Sequence, residues 1–388
     1  MKIAFVVPNY WPDMIGGAEW YVYYMTRELA LIGNEIHIFT QQTKKTKTLE
    51  ETINQVFVHR FKSFGFFYRI KIWKGLIPSL KKYKFDAIIT LDYAQPHSWQ
   101  TINYGKKNKI PVFLMINDVQ TYKTGRHFLK QKVLEFFDKY FAPKILAKAD
   151  KILVRTSWTK SWVKKKGVDE KKIFVTPSGL TEEELMPGDA SSFENKYKLK
   201  NNIILYLGRI RKQKGVFLLL DAYKEVKKKI PSAKLVYIGP DEKEYDGLEF
   251  IPKLKKKVQK ENIKDVYFLG PLYGKDKINA LAACSILCVP SSFENFGQVY
   301  SQAFAQKKPV IGTTGGGIPD IINHGVDGYT IKPWNKKQLV FYLIKLLNNK
   351  NLQIKMGENG FQKIQKYLYP KLARDLENIC RITLNHVS

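Results

Sequence analysis

Short apolar runs alternate with longer helical patterns along almost all of this chain of 388 residues, and that alternation restricts the fold more than any other feature. Ile3–Val7, Glu35–Thr40, Ala87–Thr90, Val112–Ile116, Lys151–Val154 and Ile173–Thr176 form a first series, with a helix expected from about Ala18 to Gly33 after the Gly16-Gly17 loop. Strands covered by helices on both faces read as continuous apolar runs. Strand, helix and strand joined by right-handed crossovers build a doubly wound parallel sheet, so the fold class is α/β. The alternation pauses from Thr181 to Lys200, where Pro187, Gly188, Asp189 and two serines break any apolar period, and this stretch reads as a linker. It resumes with Ile203–Leu207, Leu235–Ile238, Val266–Leu269, Ile286–Val289, Pro309–Ile311 and Tyr329–Ile331, with helical patterns such as Val216–Lys229 and Lys275–Ala283 between them. From Lys336 onward the pattern is helical in three segments, broken near Asn351 and Pro370. Two Rossmann-like domains are therefore expected over residues 1–187 and 188–365, with a final helix over 366–388. Ligands of such sheets bind beyond the carboxyl ends of the strands, so strand-end loops facing a cleft between the domains are where chemistry is expected.

Composition narrows the function. Hydrophobic residues make up 44% and aromatics 13%, which excludes a disordered chain. Three cysteines make no disulfide framework and point to a reducing compartment; Cys284 and Cys288 are neighbours, but no second pair completes a zinc site. No run approaches the roughly 20 apolar residues of a membrane span. Ile3–Val7 is stopped by Pro8 and is too short for a signal-peptide core. A cytoplasmic location is expected, with peripheral attachment to the inner face of the membrane left open. The 65 Lys and Arg against 35 Asp and Glu give +30, which favours a phosphate-rich partner: nucleic acid, an anionic membrane or a phosphorylated small molecule.

Three strand-end loops in the second half carry ligand-type residues. Gly208-Arg209-Ile210-Arg211-Lys212-Gln213-Lys214-Gly215 follows Ile203–Leu207, and a guanidinium fork beside an ammonium suits a diphosphate, although a solvated basic loop fits equally well on this segment alone. Pro290-Ser291-Ser292-Phe293-Glu294-Asn295-Phe296-Gly297 follows Ile286–Val289 and opens a helix. Backbone amides there suit an anion, and Glu294 is either a ligand carboxylate or a helix-dipole partner. Gly312-Thr313-Thr314-Gly315-Gly316-Gly317-Ile318-Pro319-Asp320 lets backbone approach a ligand or a neighbouring element closely.

Together these segments resemble the retaining glycosyltransferases of family 4, which have the GT-B fold. The matching pieces are Gly208-Arg209 with Lys214-Gly215, Pro290-Ser291 with Glu294 and Phe296-Gly297, Gly316-Gly317-Ile318-Pro319-Asp320, and Gly325-Val326-Asp327-Gly328-Tyr329. In the first half they are Gly16-Gly17-Ala18-Glu19, Ser157-Trp158-Thr159 and Ser178-Gly179. The resemblance runs from about residue 2 to about residue 365. It implies that Arg209 and Lys214 clamp the diphosphate of a nucleotide-sugar donor and that Glu294 bonds hydroxyls of the donor sugar. Backbone amides from Asn295 through Phe296 and Gly297 to Val299 would contact sugar and phosphate, and Gly16-Gly17 would lie near the phosphates. Three positions depart from the family pattern. Gln302 stands where a second Glu usually binds the ribose, and Asn117, followed by Asp118, stands where a His often contacts the sugar or acceptor. Asp320 replaces the commoner Glu. Asn keeps a hydrogen bond but carries no proton.

The resemblance further implies transfer with retention, the departing phosphate oxygen taking the acceptor's proton. No Asp-x-Asp follows a strand, so neither a metal nor another cofactor is expected. The acceptor expected is a lipid-linked or cell-envelope glycan. Between Arg60 and Phe85 stand eight Lys or Arg and eight aromatics without an acidic residue, a composition that fits an anionic membrane surface or an amphipathic helix packed in the first domain. The alternatives are a nucleotide-sugar epimerase of the same fold and a basic nucleic-acid-binding protein; no nucleic-acid module is visible, so nucleic acid is not the expected partner.

Overall fold

The computed structural model describes residues 1–13, 16–43, 46, 48–67, 70–117, 119, 128–241 and 249–385. It divides into two compact units, Met1–Gly179 with Tyr367–Ser388, and Leu180–Lys366.

The first unit contains β1 (Lys2–Val6), β2 (Glu35–Gln41), β3 (Glu50–Ile53), β4 (Val56–Phe61), β5 (Ser63–Phe67), β6 (Ile70–Trp73), β7 (Ala87–Leu91), β8 (Val112–Ile116), β9 (Lys151–Val154) and β10 (Ile173–Val175). Its main sheet runs β10-β9-β8-β7-β1-β2-β4-β3, parallel throughout except for the antiparallel β3 edge, and β5 and β6 form a separate two-stranded sheet. Successive side chains in a strand face opposite sides. Ile3, Phe5, Ile36 and Ile38 therefore pack under the helices Gly17–Leu31 and Tyr369–Asn385, while Ala4, Val6, Ile88, Leu114 and Ile152 form a second apolar layer. The final helix brings Tyr369 to 5.1 Å from the Tyr24 ring and 6.1 Å from that of Tyr21. A Cβ on Gly179 would stand 2.8 Å from the Tyr369 ring, so only glycine admits this approach.

The second unit contains β11 (Ile203–Leu207), β12 (Lys234–Ile238), β13 (Val266–Phe268), β14 (Ile286–Cys288), β15 (Val310–Thr313) and β16 (Gly328–Ile331), in the all-parallel order β13-β12-β11-β14-β15-β16. From β11 the chain winds outward one way through β12 and β13; from β14 it winds the other way. The carboxyl ends of β11 and β14 thus form the topological switch point, where doubly wound sheets take their ligands.

Two sequence expectations change. Residues 181–200 are not a linker: the helices Glu182–Leu185 and Ala190–Tyr197 lie there, within the second unit. The division falls at Gly179/Leu180 rather than at 187/188 because second-unit side chains satisfy this backbone. Gln306 accepts from the Gly188 amide at 2.8 Å and donates to the Glu184 and Met186 carbonyls, and Asn279 accepts from the Asp189 amide. Among the described residues between Arg60 and Phe85 there is neither a continuous basic-aromatic face nor one amphipathic helix. Strand β4 ends there, followed by the β5–β6 hairpin and the short helix Leu76–Leu80. Arg60, Trp73, Leu76, Leu80 and Phe85 are buried, and Phe64 and Ile72 are the strongly exposed apolar side chains described there. Tyr68 and Arg69 lie outside the described residues. Among the described residues, no helix is long and apolar enough to cross a membrane.

Trp73 stacks on His97 at 4.3 Å, and both ring nitrogens of His97 are buried with no well-formed hydrogen bond among the described residues. Desolvation pushes this imidazole down to about 3. The unfolded chain then binds a proton that the folded one refuses, so stability rises with pH and is lost as pH falls below the ordinary histidine value. Between pH 7 and pH 5 this single group should remove about 2 kcal/mol. Urea midpoints at the two pH values check it; an acid sensitivity undiminished in His97→Phe would contradict the assignment.

Candidate active site

Arg209 and Lys214 lie in the loop after β11, and Glu294 lies in the loop after β14. The structure brings the last two into contact: the Lys214 ammonium pairs with Glu294 Oε1 at 2.5 Å, both side chains being mostly buried. Ser291 donates to the same oxygen at 2.6 Å. Burial pulls the Lys214 ammonium below the usual lysine range; the Glu294 carboxylate opposes that shift, and the positive charges of Arg209 and Arg211 add to it. Lys214 is thus paired with Glu294 while the charges of Arg209 and Arg211 act on its ammonium, so positive charge gathers at the switch point, an arrangement suited to a polyanion.

Glycines set the approach of these loops. Gly215 has φ +74, and a Cβ there would stand 2.2 Å from the Pro290 carbonyl oxygen, so the loop carrying Lys214 lies flush on the loop carrying Glu294. The same junction is closed by the Ser292 amide donating to the Gln213 carbonyl at 2.8 Å. The glycine run serves a neighbouring element: the Gly317 amide donates to the Glu294 carbonyl at 2.8 Å, and Gly316 bridges Glu294 in strand-like fashion. Gly297, at φ +87, caps the helix Gln298–Ala305, placing Phe296, Gly297 and Val299 around its start and Asn295 just before it. Tyr300 in its first turn donates to the Val289 carbonyl at 2.6 Å, tying the helix to the end of β14. The positive end of this helix therefore lies beside the Glu294 loop.

Gln302, two turns along that helix, donates its amide nitrogen to Glu184 Oε1 at 2.7 Å, and Lys277 reaches the same oxygen. A carboxylate only accepts, so the Gln302 amide is fixed with its oxygen turned away from Glu184. Asp327 of the Gly325–Tyr329 motif is buried, pairs with Lys363 and accepts from the Asn323 amide, a structural role.

In the first unit, Gly16 and Gly17 begin the helix Gly17–Leu31, but the amide of Gly16 already donates to Glu19 Oε2 at 2.9 Å. Gly16 and Glu19 thus form the capping box of this helix. Asn117 follows β8; its backbone amide donates to Asp92 Oδ1 at 3.1 Å and its side-chain oxygen accepts from Arg155 Nε at 2.8 Å. Asp118 lies outside the described residues. Arg155 and Glu184 escaped the sequence reading. An arginine directly after the apolar run Lys151–Val154 was the available signal for the first, and Glu184 was hidden in an apparent linker. Among the described residues, no group of three or more His, Cys, Asp or Glu side chains gathers as a metal site.

Residues 15–184 match the family model described as Glycosyltransferase Family 4, and residues 189–363 match that of Glycosyl transferases group 1. An uncharacterized glycosyltransferase of Methanocaldococcus jannaschii is 25% identical, the alignment covering 99% of this chain and 100% of that one. A D-inositol 3-phosphate glycosyltransferase of Corynebacterium aurimucosum is 23% identical over 94% of this chain and 90% of its own. Among solved structures, a sucrose-phosphate synthase from Thermosynechococcus elongatus superimposes with a TM-score of 0.79 at 20% identity, covering 99% of each chain. Anabaena HepE in complex with UDP-glucose superimposes with 0.76 at 17% identity, over 98% of this chain and 99% of its own.

Proposed function

Because this chain is a glycosyltransferase of the GT-B fold, its first half of the Family 4 kind and its second of group 1, we propose that it transfers a sugar from a nucleotide diphosphate to a hydroxyl acceptor with retention of configuration. The pairing of Lys214 with Glu294 at the switch point of the second sheet carries this reading. Arg209 and Lys214 hold the diphosphate, and Glu294 meets hydroxyls of the donor sugar once the diphosphate draws Lys214 toward itself. The bond from the anomeric carbon to the diphosphate oxygen breaks while a bond to the acceptor oxygen forms on the same face. The leaving oxygen takes the acceptor's proton, so the products are the glycoside and the nucleoside diphosphate.

In this reading the positive side chains and the helix-start amides, rather than a divalent ion, carry the leaving-group charge. Gln302 presents its oxygen to the ribose. A UDP-bound solved relative of the same fold supports the donor class. A thermal-shift screen over UDP-, GDP-, ADP- and dTDP-sugars should show stabilisation by at least one, since a ligand of the folded state raises apparent stability. Transfer from that donor should survive EDTA. No stabilisation by any donor together with no transfer would sink the reading, and loss of transfer in EDTA would sink its metal-free part.

A further inference from the structure

Arg155 follows β9 with 4% of its surface exposed, and among the described residues its contacts are all neutral. Nε donates to Asn117 Oδ1 at 2.8 Å, Nη1 to the Thr176 carbonyl at 2.8 Å, and Nη2 to Met115 Sδ at 2.8 Å. The guanidinium lies 3.2 Å from the centre of the Tyr21 ring. Burying a cation without a counter-ion is unfavourable, and a sequence that needed only packing here would carry an apolar residue.

The geometry fixes what Asn117 presents. An Nε–H group only donates, so the atom facing it is the amide oxygen, and the Asn117 nitrogen points elsewhere. That Nδ2 is buried and, among the described residues, has no hydrogen-bond partner. The Asn117 main chain is held as well, through its amide on Asp92. The result is a pair of N–H donors of set direction at the carboxyl edge of the first sheet, polarised by the cation behind them.

We propose that Arg155 is a positioning residue that locks the Asn117 amide so that its two Nδ2 hydrogens meet an oxygen of the sugar substrate, a hydroxyl or a carboxylate. The inference rests on the glycosyltransferase reading. Because the amide does not titrate, this contact keeps its strength across the pH range in which a histidine would change charge.

Asn117→Asp tests it without threatening the fold, since Arg155 keeps an acceptor and gains an ion pair, while the donors vanish. Its kcat/KM should fall roughly 100-fold with no loss of thermal stability. Asn117→His should introduce a pH dependence into kcat/KM that the wild type lacks. Arg155→Leu should lose activity on the scale of Asn117→Asp, and Arg155→Gln, which can still donate to Oδ1, should recover part of it. Wild-type-like transfer by Asn117→Asp, or a folded Arg155→Gln as inactive as a folded Arg155→Leu, overturns the proposal. A wild type that neither binds a nucleotide diphosphate nor transfers sugar overturns the function reading and this inference with it.

Discussion

Arg209→Ala and Lys214→Ala are each expected to reduce kcat for sugar transfer by roughly 10²–10³-fold, the scale of one preorganised donor removed from a charge-developing centre. The side chains act where a diphosphate acquires charge as its bond to the sugar breaks, so the loss should fall on kcat as well as on donor affinity. The local fold should survive. Tyr206 donates to the backbone carbonyl of Arg209, which alanine retains, and Ser291 still supports Glu294 when Lys214 is gone. Lys214→Ala has a second consequence, because Glu294 then keeps no ammonium partner and its charge opposes a bound diphosphate directly. Steady-state kinetics of both variants with the donor found by thermal shift decide the matter; near-normal turnover by both would leave the diphosphate clamp without support.

The second large effect is expected at Gly316. Its φ is +68, and a Cβ there would stand 2.3 Å from the Glu294 carbonyl oxygen, so no side chain fits without moving backbone. Gly316→Ala should destabilise the second unit by on the order of 3 kcal/mol, combining left-handed strain with overpacking. Transfer should fall with it, because Gly316 and Gly317 hold the main chain from which the Glu294 carboxylate projects. Gly325 is the control: its φ is +80, yet nothing lies within 4 Å of a Cβ there, so Gly325→Ala should cost only about 1 kcal/mol. Equal urea midpoints for the two variants would show that the close approach at Gly316 contributes nothing.

Most of the frame was legible because buried parallel strands announce themselves as apolar runs, as at Val112–Ile116 and Ile203–Leu207, whose strand limits coincide with those runs. The loop residues that follow them were legible for the same reason, since a doubly wound sheet directs its ligands to the carboxyl ends. What escaped was decided by partners distant in sequence. Composition around Arg60 suggested a surface, yet Arg60 is buried against Glu51 of β3 and the carbonyl of Trp11. Arg155 gains its meaning only when Asn117, Thr176, Met115 and Tyr21 gather around it from separate segments. The glycine run left two readings open in the sequence, a ligand or a neighbouring element. The short contact with Ser292, 2.1 Å from a Cβ on Gly315, selects the second.

The return of the final helix to the first unit bears on how the chain is made. Tyr369, Leu372, Ala373, Leu376 and Cys380 belong to the same apolar cluster as Ile3, Phe5 and Tyr21. A ribosome releases residues in order, so every residue of the second unit has emerged before the first unit can be completed. During synthesis, the face of Gly17–Leu31 that Tyr369–Asn385 will cover has no cover of its own. The first unit, although it emerges first, therefore cannot be completed until the whole second unit has emerged.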